Sequence, residues 1–366
     1  KKIHDFYHDQ CCGDDQIDVR AIDLSGWKEV YEKLAREAYE GRLKPENLNA
    51  VLVKETFNEL NKGASTGYGK DWLKVDKDGL PNPVAIKMQQ NIFKFSGAKS
   101  YAQLQELNNA LTKNGKILSW NDFKTEALKL NSRYNLNYLQ AEYQTAKQAG
   151  YHANNWETFQ ENKKRYPNLK YRTQEDDRVR DEHRALEGLI VPIDHPFWQS
   201  YYPPNGWRCR CFVEQTKENA DLSIIPETVP DVKQEFRINT GISGQVFKEG
   251  ENYFALVKDA GKELKLSLEL SKTTAEPLHL LTDKGTLTMS IFADLTDLKK
   301  NVKSATVAIT NIKVQMHINL HSYIDGEKNP EYTINGNLGD RKEIKGYNGI
   351  TAGFNKLEKQ KAVSIL

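Results

Sequence analysis

The chain has 366 residues, of which 38% are hydrophobic and 28% are charged, and its formal net charge is +2. This length exceeds the usual size of one hydrophobic core, so we expect two or three domains. The small net charge excludes a global basic field, so any nucleic-acid-binding surface must be local. No apolar run approaches the roughly 20 residues of a membrane helix, and we expect no membrane partner.

The four cysteines occur as Cys11-Cys12 and Cys209-x-Cys211. These two close pairs do not resemble the disulfide framework of a secreted domain, and no signal-peptide pattern opens the sequence. We therefore expect synthesis in a reducing cytoplasm. The chain starts at Lys1 without methionine, which is compatible with a fragment of a longer protein.

Residues 1–129 are predicted to be mostly helical. Apolar residues at helical spacing in "GWKEVYEKLAREAYEG" indicate a helix that ends at Gly41. The stretch "SYAQLQELNNALTKNG" predicts a second helix, stopped by Asn114-Gly115. Ser119 is a good N-cap for one long helix or two shorter ones that follow it.

The next part of the chain changes in character. Thr173 and an acidic first turn predict a short helix that runs to Gly188. Residues 216–235 contain prolines and many polar residues, as a linker does. Beyond them, alternating and β-branched residues predict strands in "NYFALVKDAG", "ELKLSLEL", "GTLTMSIFA", "SATVAIT" and "KVQMHINLHSYI".

The stretch "GWRCRCFV" places two cysteines one residue apart. If it is a strand, Cys209 and Cys211 lie on one face while Arg208 and Arg210 lie on the other. His183, on the preceding predicted helix, is expected to point inward too.

Two interpretations of these thiols remain open. His183, Cys209 and Cys211, with His195 or Asp194 as a further ligand, are residue types that bind zinc. The Cys-x-Cys spacing is not that of a zinc ribbon, and two small buried thiols beside a hydrogen-bonded histidine are the alternative. A disulfide across this spacing would be strained, and a catalytic cysteine–histidine pair lacks its local signature.

The run "TQEDDRVRDEHRALEGLIVPIDHPFWQSYYPPNGWRCRC" resembles the signature of the phage Mu F-like head-morphogenesis (minor capsid) family. That family carries an Arg-x-x-His helix, a glycine and a proline-rich turn ending in Cys-Arg-Cys. Upstream, Gln140-Ala141-Glu142 stands where the family has Arg-Thr-Glu, so only the glutamate is kept. The resemblance covers about residues 130–215, and the matching positions are Arg180, His183, Gly188, Pro203, Pro204, Gly206, Cys209, Arg210 and Cys211.

This resemblance implies a structural role. A few copies of such a protein lie inside the phage head near the portal and assist assembly or DNA packaging. The implied partners are portal and capsid proteins, and the implied location is the virion. The cysteines and His183 would hold the turn in place, while Arg208 and Arg210 would face a partner.

The last forty residues contain a second pattern. Asn335-Gly336 is a strong hairpin signal between two short strands. Glu331 comes before the turn, and Asp340 and Lys342 follow it, two residues apart and so on one face of a strand. A glycine-containing loop, a helix and the start of an apolar strand come next.

The order Pro-Glu, Asp-x-Lys and helix resembles the core of the PD-(D/E)XK nuclease superfamily, closest to nuclease toxins of contact-dependent inhibition proteins. The resemblance implies that Glu331 and Asp340 hold Mg²⁺ and that Lys342 orients the attacking water. Gln360 on the following helix and Glu276 upstream are further candidates. Implied partners are DNA or tRNA and an immunity protein. Because Leu366 falls where a core strand should continue, a longer natural protein is compatible with this pattern.

Two alternatives to the nuclease remain. The C-terminal block could be a non-catalytic β-rich domain of a purely structural virion protein. His317 and His321 could also form an acid–base pair of the ribonuclease type, because a strand keeps residues i and i+4 on one side.

The sequence thus predicts a multidomain α+β protein with a mostly helical N-terminal region, a small Mu F-like knot and a C-terminal α/β nuclease-like domain. The predicted boundaries are 1–129 for the helical region, 130–215 for the Mu F-like domain, 216–235 for the linker and 236–366 for the nuclease-like domain.

Overall fold

A computed structural model describes residues 27–223, 232–257, 270–272, 275, 277–281, 285–322, 326–342, 355 and 364–365. These residues combine helices with several small sheets, which confirms the predicted multidomain α+β class. The chain divides into two compact units. Unit 1 comprises Lys1–Trp72 and Asn91–Ala260, and unit 2 comprises Leu73–Gln90 and Gly261–Leu366. The four-part division by sequence stays a prediction.

Unit 1 is built mainly from long helices. In chain order the helices are α1 (Trp27–Tyr39), α2 (Ala50–Tyr68), α3 (Pro83–Ala110), α4 (Trp120–Ser132) and α5 (Leu139–Asn162), and the unit boundary falls within α3. A π-helical segment, Arg133–Tyr138, joins α4 to α5, so the stretch after Ser119 is two α-helices with a π-helical connection. Short 3₁₀ turns occupy Pro45–Asn47, Gln234–Phe236 and Asn252–Leu256.

Local sequence signals set several helix ends. The Ser119 hydroxyl accepts a hydrogen bond from the Asp122 amide and caps α4, as predicted. The Asn49 side chain caps α2 in the same way. Asn114 and Gly115 have φ of 51° and 74° and form the turn of a small hairpin, β1 (Thr112–Lys113) and β2 (Lys116–Ile117). The preceding helix therefore ends at Ala110, before the predicted stop.

Helices α2 and α5 cross at very short range. A Cβ on Gly67 would lie 1.8 Å from the Lys147 carbonyl oxygen, and a Cβ on Gly150 would lie 2.1 Å from that of Ala64. Both contacts are with backbone atoms, which cannot move aside. The two glycines therefore permit this packing.

A three-stranded antiparallel sheet follows α5 in unit 1. Its strands are β3 (Asn168–Arg172), β4 (Ile190–Pro192) and β5 (Phe212–Thr216), in the order β4-β3-β5. Unit 1 also contains three short helices, α6 (Asp181–Arg184), α7 (Trp198–Tyr201) and α8 (Thr240–Ser243). The core against this sheet is aromatic and aliphatic and includes both cysteines; among its members are Trp156, Leu169, Tyr171, Leu186, Val191, Trp198, Tyr202, Cys209, Cys211 and Val213.

Two local predictions in this region were wrong. The helix expected from Thr173 to Gly188 is a single turn, α6, and the Thr173 hydroxyl instead accepts a hydrogen bond from the Glu175 amide within the loop. The Cys-Arg-Cys stretch is irregular, and the strand begins only at Phe212. Arg208 has φ of 57°, which no strand allows.

Unit 2 contains a mixed six-stranded sheet. The strands are β6 (Leu278–Leu281), β7 (Leu287–Met289), β8 (Met316–Ile318), β9 (Tyr332–Ile334), β10 (Asn337–Asp340) and β11 (Ser364–Ile365), in the order β11-β10-β9-β8-β7-β6. Helix α9 (Leu298–Ile312) connects the parallel strands β7 and β8. Strands β8, β9 and β10 are successively antiparallel, and β11 is parallel to β10. The Asn335-Gly336 turn joins β9 to β10, as predicted.

Two strand predictions in the C-terminal half were wrong. The stretch "SATVAIT" lies in α9, where Leu298, Val302, Ala305 and Ile309 are buried at helical spacing against the sheet. The stretch "NYFALVKDAG" contains the 3₁₀ turn Asn252–Leu256. The stretch "ELKLSLEL" lies almost entirely outside the described residues.

Across the described residues, no helix combines the length and apolar character needed to cross a bilayer.

Candidate functional sites

The described residues hold one group of three or more His, Cys, Asp and Glu side chains that could bind a metal ion: His183, Cys209 and Cys211. The Nδ1 atom of His183 lies 3.7 Å from the sulfur of Cys209 and 3.5 Å from that of Cys211. All three ligand atoms lie within 4.8 Å of one another. Among the described residues neither cysteine forms a disulfide bond. We call these three residues the His-Cys-Cys cluster.

The histidine ring is fixed by a backbone carbonyl. Nε2 of His183 lies 3.3 Å from the Asn205 carbonyl oxygen, which can only accept a hydrogen bond. Nε2 therefore carries the hydrogen, and in the neutral ring the lone pair of Nδ1 faces the two sulfurs. The Asn205 side chain is fixed in turn, because its Oδ1 accepts a 2.9 Å hydrogen bond from Tyr171.

The cluster is buried and electrostatically coupled. Exposure is 3% for His183, 1% for Cys209 and 4% for Cys211. Hydrogen bonds with Cys211 and His183 hold the pKa of the Cys209 thiol well below its usual range. Burial lowers the pKa of His183, but the hydrogen bond and charge of Cys209 outweigh it and the pKa is raised. Since substrate cannot reach a thiol this buried, the arrangement does not favour a catalytic cysteine.

A second buried histidine, His152, contacts the backbone of the Cys-Arg-Cys turn. Nε2 of His152, which is fully buried on α5, lies 3.0 Å from the carbonyl oxygen of Cys211. Burial lowers the pKa of His152 to about 4, so it is neutral at pH 7. Sequence patterns did not single out His152, because its contact joins residues 59 positions apart.

Arg180 and Gly206 account for two of the signature positions. The Arg180 guanidinium donates a 3.3 Å hydrogen bond to the Trp207 carbonyl. A Cβ on Gly206 would lie 1.7 Å from Nη1 of Arg180, so the guanidinium lies directly on the glycine backbone. A larger residue at position 206 would therefore displace the guanidinium from this contact. Gly188 has φ of 77°, a conformation that favours glycine.

Arg210 pairs within the protein. Its Nη1 and Nη2 each lie 2.8 Å from an oxygen of Asp176, a bidentate geometry. The Arg210 guanidinium holds the pKa of the Asp176 carboxyl below its usual value. Arg208, the other arginine expected to face a partner, is half-buried, and its amide lies 3.4 Å from the Thr145 hydroxyl.

The two further zinc ligands predicted from the sequence, His195 and Asp194, make other contacts. Nδ1 of His195 accepts a hydrogen bond from the Phe197 amide at 3.2 Å, and Asp194 pairs with Lys163 at 3.1 Å. The structure does not bring either one into the His-Cys-Cys cluster. Pro203 and Pro204 are buried in the turn that leads to Asn205, and the peptide bond between them is cis.

Glu142, the one residue of the upstream triplet that matches the family pattern, forms a buried ion pair. Its carboxylate lies 2.5 Å from Nζ of Lys99, and both side chains are fully buried. Lys99 also donates to the Tyr134 carbonyl at 2.9 Å, in the π-helical segment. Lys99 was missed by sequence reasoning, since a single lysine in a helix gives no signal of burial.

In unit 2 the structure brings together Glu331, Asp340 and Lys342. The Lys342 ammonium forms an ion pair with Asp340, whose side chain is 1% exposed. Glu331, with its side chain 25% exposed, contacts Asp340 as well. Burial and the adjacent Asp340 raise the pKa of Glu331 to about 7. We call these residues the acidic cluster.

A network from helix α9 positions Glu331. Its Oε2 accepts a 2.7 Å hydrogen bond from the Arg341 amide. The Arg341 side chain donates to the buried Asn301 of α9 at 3.0 Å, and Tyr332 donates to the Asn301 carbonyl at 3.0 Å. The acidic cluster is therefore tied to the unit 2 core.

The other candidates in unit 2 are less well placed. Glu276 and Gln360 lie outside the described residues. His317 on β8 contacts the Thr288 hydroxyl at 2.9 Å, burial lowers its pKa, and it lines a cavity of about 500 Å³. His321 lies beyond the end of β8, and its amide donates to the Phe292 carbonyl.

Comparison with known proteins gives one family match and two curated relatives. Residues 99–214 match the family described as "Phage Mu protein F like protein". The chain is 34% identical over 129 residues to the "Mu-like prophage FluMu F protein" of Haemophilus influenzae, which covers 35% of this chain and 28% of that protein. It is 48% identical over 48 residues to the "Putative capsid assembly protein F" of Escherichia phage Mu, which covers 13% of this chain and 11% of that protein.

No solved structure matches the chain. The chain spans less than a third of the length of these curated relatives. The family match starts at residue 99, upstream of the predicted limit near 130, and includes Lys99 together with the His-Cys-Cys cluster. The comparisons thus support a Phage Mu F-like family assignment for residues 99–214.

Proposed function

We propose that this protein is a minor head protein of a phage or prophage that takes part in capsid assembly. The observation that carries the proposal is the Mu F-like match over residues 99–214, which includes every signature position. The curated relative from phage Mu is described as a capsid assembly protein. Portal and capsid proteins are the proposed partners, and the head interior is the proposed location.

The geometry of the Mu F-like segment supports an architectural role. Its signature residues make contacts within the protein. Arg180 lies against Gly206, and Arg210 pairs with Asp176. The two cysteines face His183. None of these contacts leaves an accessible nucleophile. The segment is therefore suited to hold a rigid shape for other head proteins to bind.

Protease protection in purified heads tests this proposal. Heads of the phage that encodes the chain would be separated on a density gradient, treated with protease and probed for the chain before and after disruption. We expect the chain to sediment with heads and to resist protease until they are opened, with the major capsid protein as the loading control. Absence of the chain from heads would contradict the proposal, and digestion in intact heads would contradict the interior location.

For the C-terminal block we propose a metal-dependent nuclease, because Glu331, Asp340 and Lys342 meet at one place. The carboxylate oxygens are hard ligands of the kind that Mg²⁺ prefers, and two adjacent acids of like charge favour a bound cation. Mg²⁺ bound there would supply a water of lowered pKa. Lys342, paired with Asp340, would orient that water and offset charge on the phosphate.

The strand arrangement supports this second proposal. Glu331 precedes β9 and Asp340 ends β10, and the hairpin between them places both at the same end of the two strands. Strand β11 is parallel to β10 and lies beside it at the edge of the sheet. This is the order that the nuclease resemblance implies.

Cleavage assays on the full chain test the nuclease. DNA and tRNA would be incubated with the wild type, Lys342→Ala and Lys303→Ala, with Mg²⁺ or with a chelator. We expect Mg²⁺-dependent cleavage that falls by about 10²–10³-fold in Lys342→Ala, as for loss of one transition-state contact. Lys303 is an exposed lysine of α9, so its variant should keep full activity. No cleavage by the wild type, or equal cleavage by both variants, would contradict the proposal.

A further inference from the structure

We infer that the His-Cys-Cys cluster of unit 1 is a zinc site, in which His183, Cys209 and Cys211 are three ligands and a water molecule is the fourth. This inference concerns the architecture of the Mu F-like segment and does not depend on either proposed function. Three independent features of the cluster support it: the ligand spacing, the histidine tautomer and the space beside the ligands.

The ligand spacing fits tetrahedral zinc. With Zn–S of about 2.3 Å and Zn–N of about 2.0–2.1 Å, nitrogen and sulfur ligands of a tetrahedral site lie about 3.6 Å apart. The two distances from Nδ1 of His183 to the sulfurs are 3.7 and 3.5 Å. One nitrogen thus faces both sulfurs at the distance that a shared metal would impose.

The histidine presents the correct atom. Nε2 carries its hydrogen because it donates to the Asn205 carbonyl, so Nδ1 has its lone pair free for a metal. A hydrogen bond from the second ring nitrogen to a backbone carbonyl is the usual way in which a protein orients a metal-bound histidine.

The charges would also balance. Two thiolates neutralise a divalent zinc ion, and a neutral imidazole adds none, so the buried unit has no net charge. A site of this kind avoids the cost of burying an unpaired ion.

A small cavity beside the three residues has space for a fourth ligand. A cavity of about 10 Å³, close to what one water molecule needs, borders the cluster. Its other lining residues are Gln174, Arg178, Val179, Arg180 and Arg210. This space has the volume of one water molecule and lies beside all three proposed ligands.

The site would join two parts of the chain that regular structure leaves unconnected. His183 belongs to the one-turn helix α6, and the cysteines belong to an irregular turn 26 and 28 residues further on. The two segments are held by contacts such as that of Arg180 with the Trp207 carbonyl, and no strand ladder joins them among the described residues. Zinc would fix both, because its binding free energy adds to the free energy of folding.

Zinc content of the full chain tests the inference. The protein would be purified without chelators or metal-affinity steps and its metal measured by mass spectrometry. We expect about one zinc ion per chain, falling by more than about tenfold in Cys209→Ser and in Cys211→Ser. The variant His195→Ala, at a histidine that the structure does not bring into the cluster, should keep its zinc. Zinc that persists in both cluster variants would overturn the assignment.

A measurement on the wild type covers the case in which the cluster variants do not fold. After zinc is removed, titration with Co²⁺ should produce the charge-transfer absorption of cobalt–thiolate bonds and the visible bands of a tetrahedral site. Alkylation of Cys209 and Cys211 in the native protein should be slow until a chelator is added. A wild type that contains no zinc and gives no cobalt–thiolate absorption would overturn the inference and leave a thiol–imidazole pair.

Discussion

The two clusters of ionisable side chains differ in how their charges are compensated. In unit 1 the His-Cys-Cys cluster is at most 4% exposed, and a backbone carbonyl fixes the histidine ring. In unit 2 Glu331 remains 25% exposed next to a second acid, and its pKa is raised to about 7. The first arrangement is suited to holding a fold together. The second keeps a like-charge pair within reach of solvent, where a cation or a substrate phosphate can bind.

The same contrast applies to the lysines. Lys99 is fully buried and pairs with Glu142, whereas the Lys342 side chain is 19% exposed and pairs with Asp340. A buried pair contributes to stability mainly through the cost of breaking it, since removing one partner leaves an uncompensated charge. Stability variants should therefore have their largest effects in unit 1.

The largest expected effect is that of Lys99→Ala. The change leaves the Glu142 carboxylate buried without its cation, and we expect a loss of about 3–5 kcal/mol in the free energy of unfolding. Lys129→Ala, which breaks an exposed pair with Glu126, should cost less than about 0.5 kcal/mol. Denaturant unfolding of both variants measures the difference. Equal effects would show that the buried pair has no special role.

A second effect should come from Gly206→Ala. The added Cβ would clash with the Arg180 guanidinium, and we expect a loss of about 1–3 kcal/mol in the free energy of unfolding. In an Arg180→Ala background the same change should cost less by about 1 kcal/mol or more, because the clashing group is gone. Denaturant unfolding of the four proteins gives this coupling energy. Additive effects would show that the glycine serves another purpose.

The acidic cluster should make the free energy of unfolding depend on pH. Because the folded protein raises the pKa of Glu331 to about 7 from 4.5, the protonated form is favoured by folding. This contribution is complete below about pH 4.5 and is lost as pH rises through 7, by about 1–2 kcal/mol after allowance for solvent exposure. Glu331→Gln should remove this part of the pH dependence of the unfolding free energy. Unchanged curves would contradict the raised pKa.

The smallest expected effect concerns Asp176. Arg210→Ala should raise the pKa of the Asp176 carboxyl toward its ordinary value, because the bidentate guanidinium is lost. Arg184→Ala, which removes a weaker and more distant charge, should raise it less. An NMR titration of the carboxyl carbon measures both. A larger shift in Arg184→Ala would show that Asp176 has a different main partner in solution.

Local signals in the sequence predicted local structure well. The Ser119 cap and the Asn335-Gly336 turn are present in the structure, because each depends on hydrogen bonds or backbone angles of adjacent residues. The Mu F-like signature also identified the residues around His183. Asn114-Gly115, by contrast, forms a hairpin turn and does not end the helix. An Asn-Gly dipeptide can occur in either setting, so the sequence alone did not distinguish them.

The sequence patterns did not predict contacts between residues that are distant in the chain. The β-branched stretch 304–310 favoured a strand, but burial of one face against the sheet made it part of α9. The strand predicted for the Cys-Arg-Cys stretch was wrong, because the stretch is irregular and its arginines do not share an outward face. The two sulfurs meet at His183 without strand geometry. The pairing of Lys99 with Glu142 spans 43 residues and leaves no periodic trace.

The sequence by itself determined the α+β class, the caps and turns, and the types of side chain available for the two clusters. Only the tertiary structure decided that Nδ1 of His183 faces two sulfurs, that Arg180 lies on Gly206 and that Glu331 lies beside Asp340. The physical reason is the range of the interactions. Caps and turns are settled within a few residues, whereas tautomers, ion pairs and raised pKa values depend on which distant groups burial brings into contact.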